Sequence, residues 1–347
     1  MPKEESFEQL LRGVREQVDH ELELVWKAAR GEHSRHGVAV SGPLEAAAEL
    51  SLRGGKRLRA ALVAVGYRLG GERGELGAAL HVCCAVELLQ AYFLIHDDWM
   101  DGDRLRRGGP AVHAALEERF ASPHLAAAGA VLAGDYTLAL ATRVLARAEP
   151  PRGRWPILLA RFAQMQLDAV VGQKLDVLGD GENLDEVYRL KTASYTVLGP
   201  LHLGLALSAA PAPSDASLEA FAVPLGIAFQ LRDDLIGAFA DSAVTGKPRG
   251  SDLRSGKRTL LLRTALSLAD VTTQRLIRGV VGNPDAAPEA LSAALAALDT
   301  CGARAGVERR IEALATEARA ALETTPWEPG ARLLLDGLLV ALIERAS

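Results

Sequence analysis

The chain has 347 residues, of which 49% are hydrophobic, enough for a large buried core. Its net charge of −5 argues against a basic nucleic-acid-binding surface, and an aromatic content of 5% argues against base-stacking platforms. Three cysteines without a CxxC pair argue against a disulfide framework or a cysteine metal site. We therefore expect reduced thiols in a cytoplasmic protein.

The N-terminus and the apolar runs argue against membrane insertion. The first ten residues, MPKEESFEQL, are charged from the start, unlike a signal peptide. The longest uninterrupted apolar runs, at 126–132 and 201–210, are too short to span a bilayer. We expect no transmembrane segment.

Helical periodicity dominates the segments between glycine and proline residues, while alternating β-branched runs are scarce. Neither an internal repeat nor a low-complexity linker divides the chain, which predicts one all-α domain over residues 1–347. The predicted helices, in chain order, cover 6–30, 43–51, 57–69, 75–100, 111–121, 124–148, 155–179, 183–192, 195–209, 215–240, 257–268, 271–281, 286–299, 303–324 and 330–345.

A basic loop precedes the helix predicted over 57–69. It reads GGKRLR over residues 54–59. Helix N-termini favour anions, and three cations strengthen that preference here. An ordinary surface loop is the alternative, and the spacing does not match a GxxxxGK[ST] phosphate loop.

The helix predicted over 75–100 ends in acidic residues on its apolar face. The stripe through Val86 and Phe93 continues at helical spacing to Asp97 and Asp101. A solvated helix end would instead place its charges on the opposite face. Carboxylates on an apolar face, at the negative end of the helix dipole, need a cation to neutralise them.

Two arginines, Arg106 and Arg107, follow this acidic segment directly. One alternative is that they pair with the acids. We favour separate roles, in which acids and arginines hold different parts of a metal–diphosphate complex, because simple pairing leaves the other basic loops unexplained.

A second acidic pair, Asp233 and Asp234, ends the apolar helix predicted over 215–240. Alone it is a weak signal. The downstream loops TGKPRG (245–250) and GKRT (256–259) add glycine beside lysine and arginine, which lets backbone and cation approach an anion together. Two acidic clusters followed by cations predict divalent metals that bridge the protein to a polyanion, for which we expect a diphosphate.

In this order, the segments GGKRLR, LIHDDWMD…RRGGP, LKTASY and FQLRDD…GK…K resemble the trans-isoprenyl diphosphate synthases, also called polyprenyl synthetases. The motifs span Gly54 to Lys257, and the ordered set is far more specific than any one of them. The resemblance implies an antiparallel helical bundle around a central apolar cavity, and a homodimer.

The resemblance implies Mg²⁺ as cofactor, with several ions per site, and two diphosphate substrates. The implied metal ligands are Asp97, Asp101 and Asp233. The residues implied to bind isopentenyl diphosphate are Lys56, Arg59, Gln90 and Arg107, with Gln90 standing where many relatives have histidine. The residues implied to bind the allylic diphosphate are Arg106, Lys191, Thr192, Gln230, Lys247 and Lys257. The implied catalytic set is Asp97, Asp98, Asp101, Arg106, Lys191, Asp233 and Lys247.

The implied reaction is a head-to-tail condensation. The allylic diphosphate ionises, the isopentenyl double bond attacks the cation, and the departing diphosphate removes a proton. Phe93 lies one turn below Asp97, about 6 Å along the helix axis, and Tyr92 lies one residue deeper. By the resemblance, two aromatic rings there would end the cavity early and imply a C15 product first and a C20 product second.

One departure and two alternatives stand beside this interpretation. The second motif of the family usually reads DDxxD, but its last position here is Gly237, and Asp241 follows a turn later. A class I terpene cyclase has a similar first motif, yet it needs no second diphosphate site at Lys56 and Arg59. A non-catalytic subunit of a prenyl synthase is the other alternative, and Gly237 is the feature that favours it.

Overall fold

Helices form almost all of the regular structure. The structure, a computed structural model, describes residues 5–179, 183–209, 215–240 and 249–343. The prediction of an all-α fold is confirmed. The elements are α1 (Phe7–His33), a 3-10 turn (Ser34–His36), α2 (Val38–Leu52), α3 (Leu58–Leu69), α4 (Ala79–Met100), β1 (Leu105–Arg106), β2 (Gly109–Pro110), α5 (Val112–Phe120), α6 (Pro123–Leu145), α7 (Trp155–Leu178), α8 (Leu184–Tyr188), a π-helix (Arg189–Leu198), α9 (Gly199–Ala206), α10 (Asp215–Phe239), α11 (Ser251–Arg254), α12 (Leu260–Leu268), α13 (Val271–Arg278), α14 (Pro288–Thr300), α15 (Ala303–Thr324) and α16 (Pro329–Ile343).

A short antiparallel hairpin, which the sequence did not predict, follows α4. Strands β1 and β2 pair Arg106 with Gly109 and leave Arg107 and Gly108 as a two-residue turn. Both turn residues have positive φ, 52° and 73°, as a type I′ turn requires. The hairpin therefore holds Arg107 at its tip in a conformation that non-glycine residues seldom adopt.

The chain divides into two compact units. Unit 1 comprises residues 1–159 and 200–212, and unit 2 comprises residues 160–199 and 213–347. The single domain expected over residues 1–347 stays a prediction.

In unit 1, α4 is the central helix and packs against α3 and α6. Its side chains Val86, Leu88 and Ile95 are fully buried. A buried ion pair ties α3 to α4: the Arg57 guanidinium lies 3.2 Å from the Glu87 carboxylate, and both side chains are less than 5% exposed. Glu87 also accepts a hydrogen bond from the backbone N–H of Ala60, which fixes the start of α3.

In unit 2, α10 packs against α15 and the π-helix. Glycines allow the close approach around the π-helix. A Cβ at Gly226 would lie 2.4 Å from the Cα of Ala193, and a Cβ at Gly172 would lie 2.4 Å from the Lys191 backbone nitrogen. These distances are too short for any side chain, so Gly226 on α10 and Gly172 on α7 hold the π-helix between them.

Two helices, α4 and α6, are long and apolar enough to cross a membrane by length and composition alone. Each contains an 18-residue window of high mean hydropathy, although its uninterrupted apolar runs are short. The most apolar window of α4 is 67% buried, and that of α6 is 44% buried. Core helices pass the same test, so this weak signal is consistent with the expectation of no transmembrane segment.

Replacing Glu87 tests the buried ion pair. Glu87→Ala leaves the buried Arg57 charge without its partner on α4 and should lower the free energy of unfolding by about 3 kcal/mol, measured by urea denaturation. The matched control is Glu308→Ala, which breaks the exposed Arg304–Glu308 pair on α15 and should cost less than about 1 kcal/mol. Equal losses in the two variants would contradict the assignment.

Candidate active site

The acidic end of α4 presents two carboxylates one turn apart. Asp101 follows α4 in right-handed helical conformation, and its backbone N–H donates to the carbonyl of Asp97 at 2.8 Å. Both side chains are partly exposed, as binding an ion requires. The predicted shared face of Asp97 and Asp101 thus exists in the structure, while their metal role stays a prediction.

The acid between them, Asp98, is completely buried and pairs with Arg106. The Nε of Arg106 donates to the Asp98 carboxylate at 2.8 Å, and its Nη2 contacts the same oxygen and the carboxylate of Asp103. Burial opposes the charge of Arg106, but the hydrogen bond and the charge of Asp98 outweigh it and raise the pKa of Arg106. Direct pairing of an acid with an arginine, the alternative considered above, is therefore realised at this position.

The tip of the hairpin places Arg107 against the basic loop before α3. Its guanidinium donates to the carbonyl of Gly54. A Cβ on Gly55 would lie 3.2 Å from Nη2 of the same guanidinium. The structure thus brings together two segments that the sequence predicted to share a site, the 54–59 loop and Arg107.

Excess positive charge surrounds Arg107. Burial lowers the pKa of Arg107, and the charges of Arg57, Arg59 and Arg106 lower it further, against the opposing effect of Glu87. Arg57 is committed to its internal ion pair, whereas Lys56 is exposed. Cations that repel one another form a place where an anion is stabilised.

The two aromatic residues below Asp97 are in contact with each other. The ring centroids of Tyr92 and Phe93 lie 4.8 Å apart, and the Tyr92 ring meets His96 edge-on at 4.7 Å. The Nε2 of His96 lies 3.2 Å from the carbonyl of Val131 on α6. A Cβ at Gly134 would lie 2.2 Å from that nitrogen, so the glycine makes room for the imidazole that supports Tyr92.

A hydrogen-bonded network buries the second acid of the other motif. Asp234 accepts hydrogen bonds from Tyr188 at 3.0 Å and from Gln230 at 2.8 Å, and Thr192 donates to Gln230 at 2.6 Å. Burial raises the pKa of Asp234 to about 7, because these hydrogen bonds only partly offset the loss of solvation. Asp233 is partly exposed instead, in agreement with its predicted role as the metal ligand of this pair.

Tyr188 is a site residue that the sequence did not predict. Besides donating to Asp234, its hydroxyl accepts the backbone N–H of Leu260 at 2.8 Å. The hydroxyl therefore joins α8, α10 and the start of α12. A tyrosine before LKTASY gives no signal of this role, because both partners are more than 40 residues away.

The predicted cations of unit 2 have acidic neighbours. The ammonium group of Lys191 pairs with Asp176 of α7, and the π-helix that carries it has the wide turn typical of functional sites. Lys257 lies with its Nζ 3.6 Å from the carboxylate of Asp252. Lys247 and Asp241, also named from the sequence, lie outside the described residues.

The donor atoms fit magnesium delivered with a diphosphate. Among the described residues, no group of three or more His, Cys, Asp or Glu side chains is arranged to hold an ion by itself. Magnesium commonly takes one or two carboxylates and completes its shell with substrate phosphates and water. Unit 1 offers two carboxylates, those of Asp97 and Asp101. Unit 2 offers one, that of Asp233.

Comparison with known proteins decides the family. The polyprenyl synthetase family model matches residues 42–298. The chain belongs to the polyprenyl synthetase family. The prediction of a trans-prenyltransferase is thereby confirmed.

Several relatives of this polyprenyl synthetase show the extent of the likeness. It is 33% identical over 257 residues to geranylgeranyl diphosphate synthase of Sulfolobus acidocaldarius, covering 71% of this chain and 74% of the relative. It is 30% identical over 305 residues to geranylfarnesyl diphosphate synthase of Aeropyrum pernix, covering 85% and 91%. A crystal structure of geranylgeranyl pyrophosphate synthase from Corynebacterium glutamicum, complexed with isoprenyl diphosphate and magnesium, superimposes with a TM-score of 0.90 at 32% identity, covering 97% of this chain and 99% of that chain.

Removal of one hydroxyl tests the network around Asp234. Tyr188→Phe leaves a buried carboxylate oxygen and a backbone N–H without this partner, and should lower the free energy of unfolding by about 1–3 kcal/mol in urea denaturation. Tyr136→Phe removes the hydroxyl of a partly exposed tyrosine and should change stability by less than about 0.5 kcal/mol. If the two variants are equally stable, Tyr188 does not join the three helices as described.

Proposed function

We propose that this prenyltransferase condenses isopentenyl diphosphate head-to-tail with an allylic diphosphate to give a short-chain trans-prenyl diphosphate. The observation that carries the proposal is the contrast between two kinds of charged cluster. The cluster around Arg107 has an excess of cations, whereas the ends of α4 and α10 carry acids. A condensation of two diphosphates, only one of which leaves, needs both kinds of environment.

The cation-rich cluster suits the diphosphate that does not leave. Lys56, Arg59, Gln90 and Arg107 would bind isopentenyl diphosphate through charge-assisted hydrogen bonds. The lowered pKa of Arg107 supports this assignment, because a bound diphosphate would relieve the repulsion among the neighbouring guanidinium groups. No metal is needed where the protein itself supplies the positive charge.

The acidic motifs suit the diphosphate that leaves. Mg²⁺ held by Asp97, Asp101 and Asp233 would stabilise the charge on the departing group. Arg106, Lys191, Thr192, Gln230, Lys247 and Lys257 would bind the same diphosphate. Asp98 supports this arrangement by fixing the guanidinium of Arg106, and Gln230 does so for Thr192. The departing diphosphate, rather than a side chain, would take the final proton.

The product length is proposed as C15 first and C20 second. Relatives named as farnesyl, geranylgeranyl and geranylfarnesyl synthases all match, so family membership does not decide the length. The contacting rings of Tyr92 and Phe93 support a short product, because Phe93 lies one helical turn below Asp97 and Tyr92 is backed by His96. A growing apolar chain would meet these rings after few condensations.

A homodimer is proposed on the basis of two exposed apolar helix faces. On α6, Leu125 and Leu132 are more than half exposed. On α7, Leu167, Val170 and Leu178 are at least half exposed and recur at helical spacing. Apolar patches of this kind mark interaction surfaces. On α6, Asp135 follows Leu132 by three residues with its side chain 61% exposed, which favours a protein partner over lipid.

A cytoplasmic location is proposed from the cysteines. Cys83 and Cys84 are adjacent, free and buried in α4. Burial raises the pKa of both thiols, so little reactive thiolate forms. Buried thiols of this kind agree with a reducing compartment.

A product assay tests the proposed function. The protein is incubated with Mg²⁺, isopentenyl diphosphate and dimethylallyl, geranyl or farnesyl diphosphate in turn, and dephosphorylated products are sized. We expect linear prenols elongated by five-carbon units. Conversion of an allylic diphosphate to a hydrocarbon without consumption of isopentenyl diphosphate would establish a terpene cyclase instead. Absence of turnover in every combination would favour the non-catalytic subunit.

Removing the aromatic rings of Tyr92 and Phe93 tests the proposed product length. The double variant Tyr92→Ala/Phe93→Ala opens the space below Asp97 and should shift the main product to longer prenols by at least one isoprene unit, measured by chromatography of dephosphorylated products. Phe120→Ala on α5 is the control for loss of an aromatic ring and should leave product length unchanged. An unchanged product distribution in the double variant would show that these two rings do not limit the product length.

Charge placed on the exposed apolar faces tests the dimer. Leu132→Glu on α6 and Leu167→Glu on α7 should each convert a dimer to a monomer in light scattering after gel filtration, because an apolar interface excludes an unpaired carboxylate. Leu268→Glu, at a leucine of α12 that is also more than half exposed, should leave the mass unchanged. A monomeric unmodified protein, or loss of mass in the control alone, would contradict the proposed interface.

A further inference from the structure

The second acidic motif lacks a side chain where the family pattern has its last acid. Asp233 and Gly237 lie four residues apart on α10 and therefore share one face of the helix. The backbone of Gly237 leaves the space beside it open to a group from elsewhere in the chain.

The carboxylate of Asp252 fills that space. A Cβ on Gly237 would lie 2.5 Å from Oδ2 of Asp252 and 3.4 Å from its Cγ. Real Cβ atoms do not approach so closely, so the carboxylate stands where a side chain at position 237 would begin. Glycine is thus the residue that allows Asp252 to reach the face of α10 that carries Asp233.

The local fold holds Asp252 in this place. It lies in the one-turn helix α11, which begins after Gly250 in the left-handed conformation (φ 71°). Its carbonyl accepts the backbone N–H of Lys257 at 3.0 Å, and its Oδ1 lies 3.6 Å from the Lys257 ammonium. The Asp252 side chain is 20% exposed. One of its carboxylate oxygens faces a cation, and the other faces α10.

We propose that Asp252 supplies the third carboxylate of the second acidic motif, in place of a side chain at position 237. The inference rests on the proposed function, in which Asp233 holds magnesium with the allylic diphosphate. The ion pair with Lys257 is made by Oδ1, and it does not account for Oδ2, which lies against Gly237. The absence of an acid at position 237 therefore does not indicate a non-catalytic subunit.

A carboxylate swap tests the proposal by direct metal binding. Binding of Mn²⁺ to the full chain in the presence of inorganic pyrophosphate is measured by electron paramagnetic resonance, independently of turnover. Asp252→Ala should weaken Mn²⁺ binding about 10-fold. Gly237→Asp alone should not strengthen it, because the new side chain meets the Asp252 carboxylate. The double variant Gly237→Asp/Asp252→Ala should restore most of the lost affinity.

The outcomes separate this inference from the proposed function. Asp233→Ala is measured in parallel, and thermal melting identifies which variants are folded. If Asp233→Ala weakens binding but folded Asp252→Ala does not, Asp252 has no part in the site, whereas the metal role of Asp233 stands. If Asp233→Ala also binds normally, the proposed metal site fails and this inference fails with it. If the folded double variant binds Mn²⁺ as weakly as Asp252→Ala does, a carboxylate at position 237 does not replace that of Asp252, and the proposal is overturned.

Discussion

Both acidic motifs depend on the cost of burying charge at the end of an apolar helix. Each contains two adjacent aspartates, and neighbouring residues on a helix point about 100° apart, so the two side chains of a pair can meet different surroundings. In each pair the second aspartate is the buried one. Asp98 is neutralised by Arg106, and Asp234 is held by Tyr188 and Gln230. The first aspartates, Asp97 and Asp233, thereby remain accessible.

The basic residues also divide into a buried, paired side chain and exposed ones. In the loop before α3, Arg57 turns into the core and pairs with Glu87, whereas Lys56 stays exposed. Arg107 sits on a strained hairpin tip among other guanidinium groups. This clustering of like charge opposes folding, and we propose that a bound anion compensates for it. The buried Arg57–Glu87 ion pair fixes α3 against α4, and we propose that Lys56, Arg59 and Arg107 bind a diphosphate.

The sequence predicted what depends on local pattern. Helical periodicity located most helices to within a few residues, and the continuation of an apolar stripe into Asp97 and Asp101 located their shared face. It did not predict the π-helix around Lys191, against which Gly172 and Gly226 of other helices pack closely, because such contacts leave no local pattern in the sequence. Nor did it predict the neighbours of Asp234 or Gly237, since Tyr188 and Asp252 are set by tertiary packing rather than spacing.

We propose, above all, that the protein supplies the positive charge for one diphosphate and the metal ligands for the other. Titration calorimetry of isopentenyl diphosphate and of a non-reacting allylic thiodiphosphate, each with Mg²⁺ and with a chelator, tests it most directly. We expect isopentenyl diphosphate to bind in both conditions, whereas the allylic analogue should bind only with Mg²⁺. Strict metal dependence of both ligands, or of neither, would contradict it.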